Sequence, residues 1–246
     1  MSSKTVIAFD LYGTLLSTES IAKELGKIYG DDAAQGLAAQ WRRYQLEYTW
    51  RANSMGIYRP FSEMTRAALK HAVAEKKLSL SDDVEERLMR AYDGLDTFPE
   101  IPAALERLGR EPGVDAYVFS NGTHAMIAAS VSTSKVLSAG GGFLEPGRLI
   151  TVEPVEAFKP DPRTYRHLAR ETGAADGSLD NVWLVSSNPF DALGAVAAGA
   201  RSAWIDRGGC GWVDALGGVL GEDMRPTLVA AGVDEAIEAI VAQISR

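Results

Sequence analysis

The stretch "TVIAFDLYGTLL", residues 5–16, decides the fold. Its first five residues are apolar or β-branched without alternation, which predicts a short strand buried on both faces. An aspartate, Asp10, follows at the tip of that strand, and a Gly-containing turn comes next. Similar runs recur at "DAYVFS" (115–120), "NVWLVSS" (181–187) and "RSAWID" (201–206). Helical patterns separate them. "PRTYRHLARETG" (162–173) opens on a proline suited to a first turn and ends in Gly173. "PFDALGAVAAGA" (189–200) and the amphipathic "VDEAIEAIVAQI" (233–244) are two more. Strands alternating with helices predict an α/β fold: a doubly wound, mainly parallel, Rossmann-like sheet covered on both faces.

Residues 17–97 break the alternation with helical segments only. The longest, "DDAAQGLAAQWRRYQLEYTWRANSMG" (31–56), carries Leu37, Trp41, Tyr44 and Tyr48 on one face. Arg42, Gln45, Leu46 and Thr49 occupy another. Ser81, followed by Asp82 and Asp83, has the chemistry of a helix start. The expected organisation is a core domain of residues 1–16 and 98–246 with a helical cap domain, 17–97, inserted into it. The Gly-rich stretch 207–221 is expected to be a surface loop.

Composition narrows the partners. A net charge of -8 disfavours nucleic acid, whose phosphates want a basic face. No apolar run approaches a membrane span. The start "MSSKTVIAFD" is too short in apolar residues for a signal peptide, and the single cysteine, Cys210, fits a reducing compartment. A cytoplasmic protein is expected. His71, His124 and His167 are not paired at ligand spacing with another His or Cys, so no metal is expected through them.

Ligands of a doubly wound sheet bind beyond the carboxyl ends of its strands. Four groups fall at such ends: Asp10 in "DLYGT", Ser120 in "SNG", Lys159 in "FKPDP", and Ser186 to Asp191 in "SSNPFD". Each motif alone is commoner as a turn or a helix start. Together, in this order, they resemble the motifs of the haloacid dehalogenase superfamily over the whole chain. Most of that superfamily are phosphatases, with a second aspartate two residues after the nucleophile and further acids that hold Mg²⁺. Here those positions are Tyr12 and Ser187. Asp10 and Asp191 alone are a poor shell for a hard dication. "FDLYGTL", "WRRYQLEYTW", "FSNG", "FKPDPRTY" and "VSSNPFDA" are instead similar to the L-2-haloacid dehalogenase branch.

That resemblance implies metal-independent, cofactor-free hydrolysis of (S)-2-haloacids to (R)-2-hydroxyacids. Asp10 displaces halide and forms an ester. Arg42 receives the halide, with Asn121 and Phe190 completing its cradle; adjacent Arg43 is the competing cation, and the match to "WR" favours Arg42. Ser120 and the backbone N–H groups of Leu11 and Tyr12 hold the substrate carboxylate. Lys159 keeps Asp10 ionised. Asp191, supported by Thr14, Tyr165, Ser186 and Asn188, orients the water that cleaves the ester; which group takes the proton stays open. Tyr12, Leu46, Phe61 and Phe190 wall an apolar pocket, and each would serve equally as plain core. Halide leaves as a stable anion and needs no acid at position 12. The bulk of Phe190 favours chloride and bromide over fluoride. The expected partners are a small halogenated carboxylic acid, its halide ion and, by resemblance, a second copy in a homodimer. A Mg²⁺-dependent phosphatase and a non-catalytic organic-acid binding protein are the alternatives.

Overall fold

The computed structural model describes residues 4–173, 178–221 and 224–244. Among these, six strands form one sheet: β1 (Thr5–Phe9), β2 (Val114–Ser120), β3 (Leu149–Thr151), β4 (Val182–Ser186), β5 (Arg201–Ile205) and β6 (Leu228–Ala230). All neighbours are parallel, in the order β3-β2-β1-β4-β5-β6. β1 and β4 are buried along their whole length, as their unbroken apolar runs require.

Helices α1 (Ala22–Tyr29), α2 (Asp31–Met55), α3 (Phe61–Glu75) and α4 (Asp82–Tyr92) follow β1, and α5 (Ile101–Leu108) leads into β2. Beyond β2 come α6 (His124–Thr133) and the single turn α7 (Lys135–Ser138). α8 (Pro162–Glu171) precedes β4, α9 (Pro189–Ala198) joins β4 to β5, α10 (Leu216–Leu220) precedes β6, and α11 (Val233–Ile244) follows it. Ser81 caps α4 by accepting from the Val84 N–H at 3.4 Å. The Gly-rich stretch 207–221, expected as loop, contains the short helix α10. The edge strands β3 and β6 are not predicted by the sequence pattern. At three residues each they are too short to show a period.

The strand order reverses at the β1/β4 pair, where Phe9 stands beside Val185. Connections diverge there and open a crevice above the strand ends. Asp10 and Ser186 flank it. Leu16, beyond the loop that follows β1, and Thr97, ahead of α5, are joined by an isolated antiparallel bridge. Ser17 N–H donates to Asp96 O at 2.8 Å beside it. All the helices of α1 to α4 lie between these two points. No described helix is long and apolar enough to cross a membrane.

Candidate active site

The loop after β1 carries Asp10 and folds back on itself. Gly13 has φ of 94°, a left-handed conformation that costs glycine little. This turn brings the Thr14 hydroxyl to donate to Asp10 Oδ2 at 2.9 Å. Three further groups fasten the loop from the sheet side. Ser187 N–H donates to Thr14 Oγ1 at 3.0 Å, and the Ser187 hydroxyl donates to Gly13 O. Arg207, just past β5, donates to Thr14 O at 2.7 Å and Gly13 O at 3.3 Å. Glu100 holds that guanidinium at 2.6 Å, and the Phe98 ring lies 3.5 Å under it.

Lys159 is wholly buried, and its ammonium makes three hydrogen bonds. It donates to Asp10 Oδ1 at 3.2 Å, Asp191 Oδ2 at 2.9 Å and Phe119 O at 2.7 Å. All three protons are therefore used. Asp191, in the first turn of α9, is also wholly buried, and Tyr165 donates to its Oδ1 at 2.8 Å. Burial pushes the Asp191 carboxyl upward, and the Asp10 charge adds to that. The Lys159 ammonium and the Tyr165 hydroxyl pull the other way without cancelling it. Burial also raises Tyr165 well above the usual tyrosine range, so it stays a donor. Gly194 makes this contact possible: a Cβ there would stand 2.5 Å from the Tyr165 hydroxyl.

Asn188 links Asp10 to the inserted helices. Its Nδ2 donates to Asp10 Oδ2 at 2.7 Å and to Tyr12 O at 3.1 Å. Its Oδ1 accepts from Arg42 Nη2 at 3.2 Å. Arg42, on α2, also donates to Tyr12 O at 3.1 Å and to Gln45 Oε1 at 2.6 Å. Each of these partners is a neutral oxygen. Among the described residues Arg42 forms no ion pair, whereas Lys159 has two. Arg43 turns away to the Tyr44 ring, 5.0 Å from its centroid.

Ser120, Asn121, Ser186 and Tyr12 adjoin this centre, whereas Phe190 packs against Trp50 beside a surface cavity. Ser120 ends β2, fully buried, and accepts from the Gly122 N–H at 3.1 Å, which leaves its own proton to donate. Asn121 Oδ1 accepts from Lys159 N–H at 2.9 Å. Ser186 accepts from the Asn188 N–H at 3.1 Å. Leu11 and Tyr12 are buried. The Tyr12 ring lies 6.0 Å from Phe61, nearly parallel to it, and 5.5 Å from Tyr92. Leu46 is half-buried on α2, one turn beyond Arg42. Phe190 is half-buried and meets Trp50 of α2 edge-on at 5.3 Å. A surface cavity of about 520 Å³ opens beside that pair, lined also by Asn53, Ser54, Pro160, Asp161 and Leu216.

Sequence reasoning missed Gln45, Asn53, Tyr92 and Arg207 as parts of this site. Asn53 pairs with the Phe158 backbone as a strand would, accepting from its N–H at 2.9 Å and donating to its O at 2.6 Å. It thereby ties α2 to the residue before Lys159. Arg207 carried one usable signal, its position just beyond a predicted strand end.

The donor set does not fit Mg²⁺. An ammonium already bridges the two carboxylates, Ser187 supplies no charge, and among the described residues no three His, Cys, Asp or Glu side chains gather to hold a metal.

A family model for haloacid dehalogenase-like hydrolases matches residues 4–199, and the chain belongs to that family. Its relatives narrow the comparison. The chain is 35% identical to an (S)-2-haloacid dehalogenase of Pseudomonas fluorescens over 92% of both chains. It is 36% identical to haloacetate dehalogenase H-2 of Moraxella sp. (strain B) over 85% of this chain and 88% of that one. A crystal structure of an L-2-haloacid dehalogenase superposes with a TM-score of 0.83 at 29% identity, covering 98% of this chain and all of the other.

Proposed function

We propose that this protein hydrolyses the carbon–halogen bond of (S)-2-haloacids, without a metal, to give (R)-2-hydroxyacids. One observation carries the reading: Asn188 joins a buried aspartate to a guanidinium that, among the described residues, pairs with no carboxylate. The first is the nucleophile. The second keeps its positive field for a departing anion.

Asp10 Oδ2 accepts two hydrogen bonds and Oδ1 one, so Oδ1 has the freer lone pair for attack. It enters behind the carbon–halogen bond, the halide leaves towards Arg42, and the carbon inverts. Holding the reactants in line supplies about 7–11 kcal/mol in the best-oriented systems. Oδ2 becomes the ester carbonyl oxygen, already facing the Thr14 hydroxyl and the Asn188 amide. These donors stabilise the oxyanion when water attacks the aspartyl carbon. Asp191, raised by burial, is the base best matched to that water. Ester cleavage leaves the inverted centre untouched and regenerates Asp10. Ser120 and the Leu11 and Tyr12 N–H groups bind the substrate carboxylate without attracting it to a full charge.

Residues 17–97 act as the cap and 1–16 with 98–246 as the core, the bridge at Leu16 and Thr97 marking the seam. A homodimer in the cytoplasm completes the proposal. The test is halide release from both enantiomers of 2-chloropropionate, with and without EDTA. Release from the S enantiomer, undiminished by EDTA, is expected. Phosphoester cleavage that appears only with magnesium, and no halide from either enantiomer, would overturn the reading. Single turnover in ¹⁸O-water should place the first label in Asp10.

A further inference from the structure

Gln45 is an uncharged polar residue with no exposed surface, on the same helix face as Arg42 and three residues away. Its Oε1 accepts from Arg42 Nη1 at 2.6 Å and from the Tyr92 hydroxyl at 3.1 Å. Its Nε2 donates to Thr65 Oγ1 at 2.7 Å. Thr65 spends its own proton on Phe61 O at 2.8 Å, so towards Gln45 it can only accept. That fixes the amide: the nitrogen must face Thr65 and the oxygen must face Arg42. Burial holds the Tyr92 hydroxyl protonated, as a donor. Side chains from α2, α3 and α4 thus converge to aim one carbonyl oxygen at one guanidinium.

We propose that Gln45 is a positioning residue, locked by Tyr92 and Thr65, that aims the Arg42 guanidinium at the leaving halide. This rests on the reading of Arg42 given above. The chemistry explains why an amide stands there. A carboxylate would orient the fork as well, but its charge a few ångströms away would cancel the field the halide needs. A neutral acceptor orients without neutralising. An apolar residue would release Nη1 and leave Arg42 held through Nη2 alone, at Tyr12 O and Asn188 Oδ1.

A mis-aimed guanidinium hurts one leaving group more than another. Chloride is smaller than bromide, concentrates its charge and draws more on an N–H donor. The experiment is single-turnover halide release from (S)-2-chloropropionate and (S)-2-bromopropionate by the full chain and by Gln45→Met, Gln45→Glu and Tyr92→Phe. Gln45→Met should slow chloride release roughly 10- to 100-fold, the loss expected of a hydrogen bond to a charged group. Bromide release should fall by a clearly smaller factor, and apparent substrate affinity should change less than the rate. Gln45→Glu should shift the chloride-to-bromide ratio the same way, and Tyr92→Phe should do so more weakly. Equal losses for both halides in Gln45→Met, the signature of a merely structural lesion, would overturn the inference. Should that variant not fold, the ratio in Tyr92→Phe, which keeps its ring packing, decides in its place. No halide from the unsubstituted chain would defeat the proposed activity and this inference with it. Halide release with an unchanged ratio would defeat this inference alone.

Discussion

Two cations serve the neighbourhood of Asp10, and the protein holds them by opposite means. Lys159 comes from the sheet side. It is wholly buried, and its ammonium is enclosed by the carboxylates of Asp10 and Asp191 and the Phe119 carbonyl. Arg42 comes from the inserted helices. It is half-buried, and its partners are the neutral oxygens of Gln45, Tyr12 and Asn188. The contrast separates two uses of positive charge. The first balances negative charge that belongs to the fold. The second remains unbalanced until an anion arrives. A half-buried cation that bonds no acid directly carries a desolvation cost that an anionic occupant would offset.

The comparison breaks if the two cations respond alike to removal. Lys159→Met leaves two buried carboxylates facing each other, and stripping one partner from such a pair costs about 3–5 kcal/mol. Urea unfolding should show that loss, together with lost activity. Arg42→Met should behave differently. Halide release should fall about 10²- to 10³-fold, as when one donor to a developing anion is removed. Water can replace the guanidinium at its neutral acceptors, so stability should drop by no more than about 1–2 kcal/mol. Equal stability losses in the two variants would mean that Arg42 is a structural tie between helices and sheet.

The sequence reveals these two residues unequally from their supports. Asp191 is legible because it follows a run that reads as a buried strand, and strand ends are where such sheets place their chemistry. Lys159, expected at such an end, lies eight residues beyond β3 and is legible only through the resemblance of "FKPDPRTY". The four strands nearest the switch point are legible for the same reason, while β3 and β6 are too short to show. Arg42 is legible only through the resemblance of "WRRYQLEYTW". Gln45 and Tyr92 carry no local signal. A glutamine on an amphipathic helix reads as solvated, and only the packing of α3 and α4 against α2 buries it. Arg207 is hidden likewise: its contacts with Gly13, Thr14 and Glu100 span large sequence distances. Leu11, Tyr12 and Phe61 read equally well as pocket wall and as core, and their near-complete burial suits both.

A smaller change sharpens the Lys159 side. Gly194→Ala would place a methyl 2.5 Å from both the Tyr165 hydroxyl and Pro160 Cβ. Over-filling a packed site in this way costs about 1–3 kcal/mol. Tyr165 must also retreat from Asp191, so the ester-cleaving step should slow more than halide release. A build-up of covalently modified Asp10, seen by mass spectrometry, checks this. Gly13→Ala would not make the same distinction, because strain at its positive φ disturbs the nucleophile itself.

The subtlest prediction concerns sign. Burial outweighs Lys159 at Asp191 and leaves its carboxyl raised. In the unfolded chain it ionises in the usual range, near about 4. Between that value and its raised value the folded protein holds a proton that the unfolded chain has released. Stability contributed by this group must therefore fall as pH rises through that window. Asp191→Asn cannot titrate there. The unfolding free energy of the unsubstituted protein minus that of Asp191→Asn should decline from about pH 4 upward, then level off once both states are ionised. A difference that climbs instead would mean that the Lys159 ammonium dominates. Asp191 would then be a fixed counter-charge with too little basicity to activate water, and the base for ester cleavage would have to be sought elsewhere around Asp10.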